Sequence, residues 1–314
     1  MTKVKFGLRI PAFPVDGSTG KAFINQVTQF INELKQDFSS AWVCDHFVPW
    51  ANFVSETAPN LEGFTSVAYL SGMFRNLTFG NIVLCNSYRN PALLAKMAAT
   101  LQALTGGRFV LGIGAGWKQD EYVAYGYPFP PPKVRIQQLE EAVQIIKKMW
   151  TEEKATFKGR YYQIKEAVCS PKPEPVPPLM IGGGGEKMTL KVVARHADWW
   201  NLPNVSPSIY QQKLSVLKRH CGNIGRSVSE IVKTLANIVA IAETEEEARR
   251  SASHSPFIDM DKEENYIIGS PETVTEKISE YTKIGVELFI LRFVDFPKTD
   301  GAKLFAEKVI PAFA

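Results

Sequence analysis

The stretch "RFVLGIGAGWKQDEYVAYGYPFPPP" runs from Arg108 to Pro132. Its glycines at 112, 114 and 116 resemble the turn that binds a dinucleotide. In that motif the glycines end a strand and open a helix at once, so that the helix N-terminus receives the pyrophosphate. Here the next long helical pattern starts only at about Lys133, after the run "YPFPPP" (Tyr127–Pro132). The glycines therefore close the strand Arg108–Gly114 without starting the required helix. A strand-end turn, or close approach of bare backbone to a flat ring, accounts for them better. This argues against a doubly wound nucleotide fold.

The same kind of strand recurs on both sides. Val4–Ile10, Ser40–Asp45 and Leu77–Cys85 precede it; Leu179–Gly183, Asp198–Leu202, Ile231–Ala242 and Val286–Phe293 follow. Helical patterns lie between, among them Thr19–Lys35, Pro91–Leu104, Lys133–Trp150, Glu186–His196, Pro207–His220 and Pro271–Ile284, with Gly301–Ile310 last. The strands are apolar almost throughout, which means burial on both faces, as in parallel sheets. Eight βα units in 314 residues predict an α/β fold, a (β/α)8 TIM barrel forming one domain over 1–314. "ATFKGRYYQI" (Ala155–Ile164) predicts a hairpin turning at Gly159, within an insertion at about 153–177. The polar stretch at about 251–268 predicts a mobile loop near the seventh strand.

Composition narrows the function. The net charge of +4 is spread along the chain, so neither nucleic acid nor a membrane surface is expected as a partner. No run of about 18 apolar residues and no signal-peptide pattern occurs, so the expected location is the cytoplasm. Cys44, Cys85, Cys169 and Cys221 lack metal-site or redox spacing and are expected to be free, buried thiols. No metal-ligand motif is present, so no metal is expected.

In a barrel the chemistry sits at the C-terminal ends of the strands. His46 ends the second strand beside Asp45, and of the four histidines it is the one placed for acid–base work. Asp45 is expected to set its charge and to be counted with the cofactor contacts. Gly114, Ala115, Gly116 and Trp117 follow the fourth strand and suit a planar ring. Gly182, Gly183, Gly184 and Gly185 sit between a strand and a helix, a general recipe for an anion site, with Gly183 and Gly184 the expected phosphate donors. Asn201 and Arg292 end the sixth and eighth strands.

The chain resembles the bacterial luciferase-like superfamily of flavin and deazaflavin oxidoreductases. The resemblance is carried by "WVCDHFVPW" (Trp42–Trp50), "YRNPALLAKMAATLQALTGGRFVLGIGAGW" (Tyr88–Trp117), "LEEAVQIIKKMW" (Leu139–Trp150), "PLMIGGGGEKMTLKVVARHADWWN" (Pro178–Asn201) and "GSPETVTEKI" (Gly269–Ile278). It implies a TIM barrel, usually homodimeric, binding FMN or the deazaflavin coenzyme F420. The "DHF-x-P-W" string is more like the F420-dependent branch, and implies that His46 and Trp50 lie at the ring and serve hydride transfer. It further implies a non-proline cis peptide at about Ile82–Val83, bulging against the ring. The related sugar-phosphate dehydrogenases carry a proton-donating glutamate where this chain has Trp117; Glu121 lies one helical turn later and is not assigned. The substrate is expected to be a small molecule touching Trp50, Trp117, Asn201 and Arg292. The expected function is hydride transfer between F420 and that substrate. An alternative is an FMN-dependent monooxygenase using O2 and a partner flavin reductase; another is a non-catalytic flavin-binding protein.

Overall fold

Strands of Val, Ile, Leu and Phe with no polar face need cover on both sides, and a closed ring of them wrapped in helices supplies it. In this computed structural model residues 4–51 and 53–313 are described. In chain order the strands are β1 (Lys5–Ile10), β2 (Ser40–Val43), β3 (Thr78–Asn81), β4 (Leu84–Cys85), β5 (Phe109–Gly114), β6 (Ala155–Lys158), β7 (Gln163–Ala167), β8 (Leu179–Gly182), β9 (Trp199–Pro203), β10 (Val232–Ile241), β11 (Ile267–Gly269) and β12 (Leu288–Phe293). The ring β1-β2-β3-β5-β8-β9-β10-β12 is parallel throughout and closes on itself, with Leu8 of β1 opposite Leu291 of β12. It is a (β/α)8 TIM barrel.

The helices are α1 (Gly20–Leu34), α2 (Gly63–Met73), α3 (Pro91–Thr105), α4 (Gln119–Ala124), α5 (Pro132–Thr151), α6 (Thr189–His196), α7 (Pro207–Gly222), α8 (Glu245–His254), α9 (Pro271–Ile284) and α10 (Asp300–Lys308). Three of them open on one grammar. Asn90, Ser206 and Ser270 accept backbone N–H bonds as N-caps, and a proline follows each. The cap satisfies an orphan donor, and proline has no N–H to orphan.

The barrel interior is filled by side chains. Trp42, Ile82, Val110, Met180, Ala236, Leu288 and Ile290 pack together there. Trp42 is fully buried, and a Cβ on Gly80 would fall 2.3 Å from its ring. The small residue exists to admit the large one. The four cysteines are free and buried.

Four differences from the expected layout matter. α2 was not anticipated; its N-terminus is held by Glu62, whose carboxylate accepts the Phe64 and Thr65 N–H groups. The stretch after β5 is not all loop, since α4 occupies Gln119–Ala124. The segment 251–268 is more regular than a loop: it contains the end of α8, a 3-10 turn at Met260–Asn265 and most of β11. β11 pairs with Val239–Ile241, on the edge of β10 that β9 leaves after Ala236. Within this segment Phe257 packs against Trp50. Finally, α6 begins at Thr189, three residues later than the glycine run led one to expect. The hairpin β6–β7 is antiparallel, as expected of the insertion.

Candidate active site at the barrel mouth

Because the strands all run one way, their C-terminal ends share one rim. That rim surrounds a cavity of about 530 Å³, within the roughly 300–1,000 Å³ typical of small-molecule sites. Asp45, His46, Trp50, Ile82, Val83, Gly114, Ala115, Gly116, Trp117, Gly182, Gly183 and Asn201 all line it. Gly184, Gly185 and Arg292 do not.

The floor is a bulge. The Ile82–Val83 peptide bond is cis, where the resemblance placed it, and it separates β3 from β4. The glycines around it are explained by packing. A Cβ on Gly114 or Gly182 would fall 2.8 Å or 3.0 Å from Val83 Cγ2, and one on Gly112 would fall 1.9 Å from the Asn81 carbonyl oxygen. Gly116 has φ +76, and a Cβ there would strike the Tyr122 hydroxyl at 2.0 Å. The three glycines that resembled a dinucleotide turn make room for the bulge and for Tyr122.

The later glycine run is used differently from expectation. The Gly183 N–H donates to the Asn201 carbonyl at 3.0 Å, which removes it as a phosphate donor. Gly184 packs toward Leu202 and Gly185 toward Thr189, and Glu186–Met188 form a turn before α6. The ligand-facing part of the run is therefore Gly182 and Gly183, with Thr189 beside them.

Polar residues on the rim form two separate groups. His46 Nδ1 lies 3.0 Å from Glu121 Oε2. The same carboxylate accepts the N–H groups of Phe47 (2.9 Å) and Val48 (3.2 Å) and the Tyr88 hydroxyl (3.0 Å). Glu121 is 1% exposed. Burial pushes its pKa up, but the His46 hydrogen bond and charge, with the other donors, outweigh this and hold it below the usual range. With Nδ1 occupied, Nε2 is the His46 nitrogen left for a ligand. Trp117, 64% exposed, stands edge-on to the imidazole at 5.7 Å. Its position after the glycines belongs to an aromatic wall, and the carboxylate comes from one helical turn later.

Asp45 belongs to the other group, which corrects the expectation that it sets the charge of His46. It takes two 2.8 Å hydrogen bonds from Arg89 and a third from the Cys85 N–H. Asp45 and His46 lie just past the end of β2 and their side chains take different partners, so the neighbour in sequence is not the neighbour in contact. Glu62 also pairs with Arg89, and this cluster ties the end of β2 to β4 and α2 at the cavity wall.

Two residues missed from the sequence, Arg9 and Arg135, join the expected Trp50 in carrying unmet polar capacity. Arg9, at the end of β1, lines the cavity. Arg135, on α5, lines it too, and its Nε is buried without a partner. Trp50 Nε1 is likewise buried without a partner. Arg292 lies behind the wall, 5% exposed, its guanidinium 3.6 Å from the centre of the Phe257 ring. Burial, and then the charge of Arg9, push its pKa down to about 9.

Comparison with known proteins fits this geometry. Residues 26–265 match the family described as luciferase-like monooxygenase. The chain belongs to that family. It is 36% identical over 165 residues to an F420-dependent glucose-6-phosphate dehydrogenase of Kineococcus radiotolerans, covering 52% of this chain and 48% of that one. It therefore spans about half the length of that relative. It is 26% identical to an FMNH2-dependent dimethylsulfone monooxygenase of Pseudomonas putida, over 71% of this chain and 70% of that one. A solved F420-dependent secondary alcohol dehydrogenase superposes with a TM-score of 0.85 at 22% identity, covering 99% of each chain. That likeness concerns the fold.

Proposed function

We propose that this protein transfers a hydride between F420 and a small alcohol or carbonyl substrate. The observation that carries the proposal is the His46–Glu121 pair on the cavity wall. Oxidising an alcohol means removing a hydride from carbon and a proton from oxygen, and the proton needs a positioned base. A neutral imidazole whose Nδ1–H donates to a buried carboxylate presents a bare Nε2. When Nε2 takes a proton, Glu121 stabilises the resulting imidazolium, the division of labour found in nucleophile–base–acid triads.

The cavity fits the cofactor. Bound F420 would supply the hydride acceptor. The Ile82–Val83 bulge and Gly114–Trp117 would hold its ring. Arg135, with an unpartnered buried Nε, and Lys118, with Gly182 and Thr189, would hold its phosphodiester and anionic tail. The same groups would accept the terminal phosphate of FMN. The likeness to the FMNH2-dependent monooxygenase favours a second reading, in which FMN from a partner reductase binds here and O2 reacts. The family resemblance also supports a homodimer.

A titration separates the readings. Trp50 and Trp117 both line the cavity, so a bound ring will quench their emission. F420 is expected to quench saturably, and FMN at least tenfold more weakly. Preferential binding of FMN would support the monooxygenase. Quenching by neither would overturn both, and with them the role of the bulge.

A further inference from the structure

We infer that Arg9, Arg292 and Trp50 form a recognition site for an anionic substituent of the substrate, a carboxylate or phosphate monoester held away from the reacting carbon. The inference rests on the proposed function, and it names the substrate class.

The two arginines are neighbours by register. Leu8 lies opposite Leu291 across the β1–β12 ladder, so Arg9 and Arg292 occupy the next rung. Leu288 and Ile290 are in the barrel interior, and strand alternation puts Arg292 on the same side, above them. Among the described residues neither guanidinium has a hydrogen-bond acceptor or a carboxylate in salt-bridge range. Arg292 has instead an aromatic seat, Phe257 at 3.6 Å and Phe13 at 5.8 Å. Two like charges on one rung of neighbouring strands, one of them almost fully buried, are costly unless an opposite charge joins them.

The third donor comes from another element. Trp50 packs against both Phe13 (5.9 Å) and Phe257 (5.6 Å), so it shares the wall that seats Arg292. Its Nε1 is buried and has no partner. Two guanidiniums and an indole N–H, all donors and with no acceptor among them, complement a group with several oxygens and a negative charge. The carboxylates on the cavity wall are already committed, Asp45 to Arg89 and Glu121 to His46. The site is distinct from the end marked by Arg135, which sits on α5 over Phe129. An anion seated on Arg9 lies on the rim that His46 also lines, so an organic anion can reach both.

The test uses the cofactor-free protein, so it does not depend on F420. Melting is followed in sodium acetate, in sodium phosphate and in sodium chloride at matched ionic strength. Acetate or phosphate is expected to raise Tm with concentration beyond chloride, as a ligand of the native state does. A response to acetate assigns carboxylates, and a response to phosphate assigns phosphate monoesters. In Arg292→Met the concentration needed is expected to rise about tenfold or more, the loss of one charge-assisted contact, while the anion-free Tm does not fall, because an uncompensated buried charge has gone. Arg9→Gln, at a half-buried position, is expected to weaken the same response and serves if Arg292→Met fails to fold. F420 affinity in either variant is expected to stay within about twofold. No response to either anion in the wild type would overturn the inference, as would a response of wild-type size in both variants. A tenfold loss of F420 affinity would also overturn it, placing the arginines on the cofactor. Anion binding without F420 binding would leave this site standing and remove the proposed function.

Discussion

His46→Asn is expected to slow F420 reduction by about 10²–10⁴-fold, the usual contribution of a positioned acid–base group, while F420 affinity and Tm stay near wild type. The asparagine amide nitrogen falls close to the position of Nδ1 and can still donate to Glu121. Only Nε2 is lost. The substitution thus isolates proton transfer from the structural use of the same side chain, which His46→Ala would not, because alanine would also leave Glu121 with one donor fewer. The measurement is single-turnover reduction of F420 with the best of a panel of small alcohols and hydroxy acids. Raising the pH should partly restore the variant, since hydroxide can remove the proton that Nε2 no longer takes. A loss smaller than tenfold would mean that His46 shapes the pocket and does not carry the proton.

The barrel could be read from the sequence because buried parallel strands announce themselves. Eight runs such as Leu288–Phe293 have no polar face, and no other common architecture needs so many. The bulge at Ile82–Val83 and the ring-facing Gly114–Trp117 were legible only through the family resemblance; nothing in the local pattern of "GNIVLC" marks a cis bond. Glu121 shows what pattern reading loses. It contacts His46 across 75 residues of sequence, and it sits on a six-residue helix too short to show a period. Its buried role depends on four donors from two separate segments, His46–Val48 and Tyr88, and no short window of sequence contains them together with Glu121. Asp45 failed in the opposite way: it stands beside His46 in sequence, but its carboxylate accepts from Arg89 and the Cys85 N–H. Arg9 looked like an ordinary member of a strand, and only closure of β1 onto β12 reveals the second arginine next to it.

The two corrections concern charge, and they make the site more economical to understand. A barrel mouth with Asp45, Glu121 and His46 in one cluster would be a diffuse acidic patch. The structure instead commits each carboxylate to its own cation. Asp45 and Arg89 are locked together at the cavity wall, where they brace β2 against β4 and α2. Glu121 and His46 are held at its edge. The cations left without carboxylates, Arg9, Arg135 and Arg292, are then the ones that face or adjoin the ligand space. The net positive charge of the mouth follows from this allocation, although the chain as a whole carries only +4.

Glu121→Ala is expected to be the most damaging single change to stability, by about 3–5 kcal/mol, the range for removing one partner of a buried charged group. The carboxylate is 1% exposed and serves four donors. Alanine would leave the Phe47 and Val48 N–H groups and the Tyr88 hydroxyl buried without acceptors, at about 1–3 kcal/mol each before relaxation. Glu121→Gln is the sharper probe. Its amide oxygen can serve the two backbone donors, but its NH2 would face either Tyr88 or His46, so the pair loses its charge and part of its order. Because Glu121 is held below the usual carboxylate range, its contribution is complete at neutral pH. That contribution disappears only as the pH falls past the ordinary glutamate value, about 4.3, toward the lower native value. Tm measured from pH 7 down to pH 3 should therefore hold steady and then drop in the wild type. In Glu121→Gln it should start lower and drop less. Parallel curves for the two proteins would show that the carboxylate is not held in its charged form, and the division of roles between Glu121 and His46 would have to be abandoned.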